Sequence, residues 1–376
     1  MSEWKKIVLG EIAEIEMGQS PSGETCNING NGIPLLNGPT EFGIKNPVAV
    51  QYTTESKREC KSLDLLFCVR GSTTGRMNWA DKVYSIGRGL AAIRHKEGSE
   101  YRYFLKGIID YNLKLLLISA TGSTFPNVTR NQIENLKIRL PSLFEQKIIS
   151  KMLSAFDDKI DLLQRQNSTL EKMAETLFRQ WFVVEAKAEW KEKPLSQIAN
   201  FLNGLACQKF LPKDDIHKLP VLKIKELNNG ITNDSDCATT DIDKDYIVEN
   251  GDVIFAWSAS LMVRIWNGEK CILNQHLFKV SSKDYPKWFY LMWCKRYLEE
   301  FKAIAITHAT TMGHIKRGDL DRAFVTIPTQ SELKNMTHKM QPIIDKFISN
   351  NKQIRTLTAL RDTLLPKLMT GEVKVS

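Results

Sequence analysis

Apolar stretches such as LLLISA at 115–120 fall far short of the roughly twenty residues a membrane-spanning helix needs. The first residues, MSEWKK, lead into no apolar segment of the secretory type, so a cleaved leader is not expected. Cysteine is sparse and unpatterned. The seven residues are odd in number, scattered, and never form C-x-x-C. That spacing excludes a zinc ribbon and a disulfide framework, and it predicts reduced thiols in a cytoplasmic protein. Motifs for chemistry are missing too. Gly71-Ser-Thr-Thr-Gly75-Arg76 lacks the Gly-Lys-Ser/Thr ending of a phosphate loop. Gly87-Arg-Gly89-Leu-Ala-Ala92 continues as a strand pattern, where a dinucleotide turn must open a helix. Asp241-x-Asp243-x-Asp245 starts like a calcium loop but has Tyr246 where Gly is required. His308 and His314 have no second ligand pair at metal spacing. No amino-methyltransferase motif and no metal-nuclease cluster is present. The residues therefore predict a binding or assembly protein with no catalytic, metal or cofactor site of its own.

What the chain does have is a second beginning. EWKKIVLGEIAEIEMG at 3–18 and EWKEKPLSQIANFLNG at 189–204 share seven of sixteen residues, each offset by 186. LDLLFCVRGS (63–72) faces GDVIFAWSAS (251–260), and TGSTFPNVTRNQIENLKIRLP (121–141) faces HATTMGHIKRGDLDRAFVTIP (308–328). The period is far longer than a solenoid repeat, so one domain-plus-connector unit is used twice.

At matching places after Pro141 and Pro328 stand Ser142-Leu-Phe-Glu145 and Thr329-Gln-Ser-Glu332. Both are capping boxes that open helices. The first helix carries Leu153, Phe156, Ile160, Leu163, Asn167, Leu170, Ala174, Leu177 and Trp181 at alternating steps of three and four. The matching stripe is Met340, Ile343, Phe347, Asn350, Ile354, Leu357, Arg361, Leu364 and Leu368. Such a stripe points to a helix partner, with packing on the helix's own domain as the alternative. Pro366 is expected to end or kink the second helix.

The organisation predicted is a mixed α/β (α+β) chain. It has a domain at 1–141, a long helix at 142–183, a second domain at 184–328 and a second long helix at 329–376. Strands are expected at 63–69, 90–95, 136–140, 252–257, 276–281 and 324–328, with helices at 101–117 and 286–301. Lys plus Arg exceed Asp plus Glu by nine overall, by four in 1–141, by one in 184–328 and by four in 329–376. A basic chain suits a polyanion, but many basic proteins bind none.

The chain resembles the specificity (S) subunit of type I restriction-modification systems. The resemblance is carried by LPSLFEQKIISKMLSAFDDKIDLLQRQNSTLEKMAETLFRQWF (140–182), RDTLLPKLMTGEV (361–373) and the 121–141 segment. The second copy departs at Ser331-Glu332-Leu333, where Glu-Gln is expected. The resemblance implies two target recognition domains related by a pseudo-two-fold. Each would read one half of a bipartite, asymmetric duplex DNA target. The two long helices, paired as an antiparallel coiled coil, would set the gap. They would also dock methyltransferase (M) subunits, two per chain, and restriction (R) subunits would join the assembled complex. S-adenosylmethionine, ATP and Mg would belong to those partners, and no membrane is involved.

Readout of base edges needs polar side chains on loops. The first domain offers Arg70, Ser72, Thr73, Thr74, Arg76, Asn78, Arg88, Ser123, Thr124, Asn127 and Arg130. The second offers Ser258, Ser260, Arg264, Gln275, His276, Thr310, Thr311, His314, Lys316 and Arg317. Arg76 and Arg264 are matched by a constant offset of 188. The alternatives are a scaffold or stand-alone DNA-binding protein outside a restriction complex, and a stand-alone enzyme.

Overall fold

The strand Leu65–Cys68 is apolar at all four positions and buried at all four. Such a run marks a strand covered on both faces, and a computed structural model shows the two covers. It describes residues 4–120, 126–307 and 313–375. Leu65 and Phe67 face a helix, Arg102–Ser119, through Tyr103, Phe104 and Ile108. Leu66 and Cys68 face a second sheet through Leu36, Tyr84 and Ile86. The matching strand Val253–Ala256 is covered the same way. Val253 and Phe255 pack toward the helix Lys287–Thr307, and Ile254 and Ala256 pack toward Leu222, Val248 and Leu273.

The two copies have one topology. Ala13–Met17, Leu90–His95, Leu65–Cys68 and Met77–Trp79 form a four-stranded antiparallel sheet in that order. Asn200–Asn203, Leu277–Ser281, Val253–Ala256 and Met262–Ile265 repeat it. Lys5–Val8 pairs with Lys137–Leu140, and Lys191–Pro194 pairs with Phe324–Ile327. The second sheet has five strands in the first copy and four in the second. Its strands, two to five residues long, have no counterpart among the sequence expectations.

Shared ion pairs bind the repeats internally. Arg94 Nε and Nη2 reach Asp64 at 2.8 and 2.6 Å, and Lys279 Nζ lies 3.0 Å from Asp252. Each carboxylate also accepts a turn amide, from Lys61 at 2.7 Å and from Glu249 at 2.9 Å. Trp4 and Trp190, the residues that betray the repeat, donate their indole N–H to the capping carboxylates Glu145 and Glu332. The identical tryptophans thus fasten the start of each domain to the start of the helix that follows it.

The chain divides into two compact units, residues 1–162 with 357–376, and residues 163–356. The long helices run Leu143–Arg179 and Gln330–Thr370. In the first unit, Leu153, Leu368 and Met369 join the core of the first domain. In the second, Ala174, Phe178, Trp181, Met340 and Ile343 join the core of the other. Each domain is therefore seated on the start of one helix and the end of the other.

The heptad positions divide accordingly. Those near the helix ends fill domain cores. Ile160, Leu163, Asn167 and Asn350 are buried outside those cores, and Phe156, Phe347, Ile354 and Leu357 are half-buried. Leu170, Leu177 and Leu364 are half-buried and pack against the domain cores. Both packing alternatives hold, at different points of the same stripe. The polar members are paired between helices: Arg361 with Asp157 at 2.8 Å in the first unit, and Asn167 with Asn351 at 2.8 Å and Asn350 with Gln166 at 3.3 Å in the second.

Pro366 does not end the second helix. The helix runs through both Pro342 and Pro366 to Thr370. A proline removes one backbone donor and crowds the preceding turn. Here the flanking residues Met340, Ile343, Leu368 and Met369 are held in the domain cores, and that packing outweighs the local penalty.

Candidate nucleic-acid interface

The polar loops of each domain gather at one end of the four-stranded sheet. In the first copy the chain leaves Leu65–Cys68, makes a turn at Gly71–Arg76 and returns on Met77–Trp79. Gly71 and Gly75 lie at φ 91° and 92°, a region open to glycine and strained for other residues. A second loop meets the first through a bridge between Arg70 and Asn127. The Val128 amide donates to Val69 O at 2.8 Å, and Thr74 Oγ1 donates to Pro126 O at 3.0 Å. In the second copy Ser258 bridges His314, and the Ile315 amide donates to Trp257 O at 3.1 Å. Ala259, the counterpart of Gly71, keeps the left-handed backbone at φ 56°. The left-handed residue is retained although its glycine is lost.

A third segment closes the surface. Gly18 and Gly204 end the first strand of each sheet. A Cβ at either would come within 2.1 Å of Gly87 O or 2.2 Å of Asn274 O. Only glycine permits that approach, which accounts for its identity in both copies. The approach sets Arg88 beside Ser20, whose Oγ accepts the Arg88 amide at 3.3 Å. In the second copy it sets Gln275 beside Leu205, whose carbonyl accepts the Gln275 amide at 2.8 Å.

The opposite end of each sheet faces the helices. His95, at the far end of Leu90–His95, has Nε2 3.2 Å from Gln146 Oε1 on the first long helix. Burial depresses the His95 pKa despite that bond.

The structure sorts the sequence candidates. Arg70, Ser72, Arg76 and Arg88 are exposed, and Thr73, Thr74 and Asn127 are half-exposed. Arg130 is exposed but tied to Glu134 at 2.8 Å, and that hydrogen bond raises its pKa. Ser260, His276, Lys316 and Arg317 are exposed, and Gln275 and His314 are half-exposed. Ser123, Thr124, Thr310 and Thr311 lie outside the described residues.

Three candidates are corrected. Asn78 is buried in a strand, with its amide donating to Gly43 O at 2.9 Å and accepting from Trp79 N at 3.0 Å. Ser258 is buried, and its hydroxyl lies 3.1 Å from His276 Nδ1. Arg264 is not the counterpart of Arg76. Phe67 pairs with Met77, ten residues on, whereas Phe255 pairs with Val263, eight residues on. The shorter second hairpin makes Arg264 the equivalent of Asn78. It is exposed on the strand Met262–Ile265 and lines a cleft of about 570 Å³ with Leu170, Leu291 and Ile343.

Sequence reasoning passed over Trp257. It is half-buried at the end of Val253–Ala256, next to His276 and His314. Its signal was a large aromatic in the place held by Val69 in the first copy.

Groups suited to covalent chemistry are subdued. Burial pushes the Cys60 thiol up to about 12 and raises Cys271 and Cys294 further. Among the described residues no cluster of three His, Cys, Asp or Glu side chains is placed to hold a metal, and no helix is long and apolar enough to cross a membrane. The arrangement can grip and read a polar ligand through loops on a stiff sheet.

The profile of the family described as Type I restriction modification DNA specificity domain matches residues 1–172 and 187–359. The Type I restriction enzyme MjaIX specificity subunit of Methanocaldococcus jannaschii is 27% identical over 414 residues, covering 99% of this chain and 94% of that protein. The Putative type I restriction enzyme MjaX specificity subunit of the same organism is 34% identical over 172 residues, 45% of this chain and 40% of that protein. The solved S subunit of the type I restriction-modification system from M. genitalium has a similar fold. Its TM-score is 0.61 at 16% identity, over 99% of this chain and 97% of that one.

Proposed function

This chain belongs to the type I restriction modification DNA specificity family, and on that footing we propose that it addresses a methyltransferase and nuclease complex to a bipartite DNA target. It contributes recognition, while methyl transfer and cleavage belong to partner subunits. Each domain reads one half of the target through the loops at its sheet end. The observation that carries this is the repeated loop junction, Arg70 with Asn127 and Ser258 with His314. One scaffold presents two different sets of side chains, so the two half-sites differ.

The long helices set the unread gap and dock two M subunits, and R subunits join the assembled complex. S-adenosylmethionine, ATP and Mg act in those partners, and the complex works in the cytoplasm. Helices of 37 and 41 residues span roughly 55–60 Å, a length suited to separating two reading surfaces along a duplex. Domain limits near 1–141 and 184–328, with helices between and after, are the divisions this role requires. Reconstitution with the cognate M subunits, followed by mapping of methylated adenines, tests the reading. One motif with two unequal halves and a fixed gap is expected. Methylation without a fixed motif, or at an unbroken palindrome, would overturn it.

A further inference from the structure

The second domain carries an aromatic column that the first lacks. Trp257 lies on Phe278 at 5.7 Å and 26°, and Phe278 packs edge-on against Phe201 at 5.8 Å. By strand register the first copy has Val69, Ala91 and Ile15 at these places. Val69 is 1% exposed, whereas Trp257 is half-buried at the loop surface. Two imidazoles frame it, with ring centres at 6.0 Å for His276 and 6.3 Å for His314. The Ser258 hydroxyl, 3.1 Å from Nδ1, sets the His276 ring.

The polar handle of the indole is already used. Trp257 Nε1 donates to Asn203 Oδ1 at 3.1 Å, and the first copy has Met17 at that position. What the ring still offers outward is carbon. The edges of stacked base pairs present one apolar group, the thymine 5-methyl in the major groove. We propose that Trp257 is a specificity-determining residue of the second domain and reads a thymine methyl, with His276 and His314 hydrogen-bonding beside it. The inference rests on the reading of the chain as a DNA-recognition subunit. The other use of such a ring, insertion between base steps, would kink the duplex without regard to the methyl.

Once the target has been mapped with the assembled complex, each thymine of both half-sites is replaced singly by uracil, which removes only the methyl. The expected result is a loss of affinity of about three- to tenfold at one position in the second half-site. Trp257→Val, which installs the residue of the first copy, should bind the thymine and uracil duplexes equally and discriminate normally at the first half-site. A second half-site without an A·T pair, uniform tolerance of uracil, or uracil sensitivity retained in Trp257→Val would each overturn the assignment. The scan on the unaltered protein needs no variant to fold. A kink without methyl sensitivity would mean insertion instead, and would also sink the proposal. If the unaltered complex fails to separate its target from scrambled duplex, the DNA-recognition reading itself has failed.

Discussion

Asp64 and Arg94 are 3% and 16% exposed at their side chains, so each is the main reason the other tolerates burial. Asp64→Ala leaves a largely buried guanidinium unpaired on that side, and a loss of about 3–5 kcal/mol is expected in urea unfolding. Asp252→Ala should lose less, because Asp252 and Lys279 are 27% and 22% exposed. Glu332 gives a pH dependence. Its hydrogen bond from Lys187, with those from Thr329 and Trp190, holds its pKa at about 2. A carboxyl depressed in the folded state stabilises above its ordinary pKa of roughly 4.3, and that contribution fades as pH falls toward 2. The urea midpoint of Glu332→Gln should therefore vary less between pH 5 and 2.5 than that of the unaltered chain. At the loops, Arg76→Ala should weaken binding at the first half-site, by about 1–3 kcal/mol if it touches a base. Arg264→Ala should leave DNA affinity unchanged, as its strand position requires, and fluorescence anisotropy separates the two. Loop composition places Arg70, Arg76, His276 and His314 at the loops, and there they stand exposed or half-exposed. It did not distinguish Asn78 and Ser258, because a polar residue satisfied inside the protein reads like one facing solvent. A constant offset also hides the shortened second hairpin, and with it the place of Arg264.

Among the elements, the long helices were the most legible. Their start boxes and heptads are local features, and Ser142–Glu145 and Thr329–Glu332 form the bonds their spacing implies. The second sheets were illegible because pairs such as Glu59–Cys60 and Ile247–Val248 are too short for periodicity and are strands only by tertiary pairing. Pro366 does not stop the helix, since packing of its neighbours overrules the local propensity to end there. The helix seam yields its own prediction. Asn167 and Asn350 are 7% and 0% exposed, and among the described residues their carbonyl oxygens have no partner. Replacing both with Leu should raise the melting temperature, because a buried unsatisfied polar atom costs about 1–3 kcal/mol. The same change should loosen helix register, which a buried Asn helps to specify, and cysteine crosslinking across the seam would read that loss. Leu163→Asp should act in the other direction, since Leu163 is 1% exposed and a charge there has no water.

For the whole molecule, the pairings Asn167 with Asn351 and Asp157 with Arg361 identify which turns face each other. Within the second unit, residues 163–169 therefore lie opposite 349–355. Deleting both heptads keeps the seam phase and shortens each helix by ~10.5 Å, about three base pairs at ~3.4 Å each. Methylation mapping should then show the same half-sites with a gap about three pairs shorter. An active deletion that keeps the original gap would refute the helices as a spacer.

The division of the chain into units also dictates an order of events on the ribosome. Residues 163–356 are contiguous, but the other unit needs 357–376, whose Leu368 and Met369 lie in its core. Translation at ~5–20 residues per second leaves the first domain waiting roughly 10–40 s for that segment. The domain made second therefore completes its core first. During the interval the side chains around Leu153 lack the cover that Leu368 and Met369 later supply.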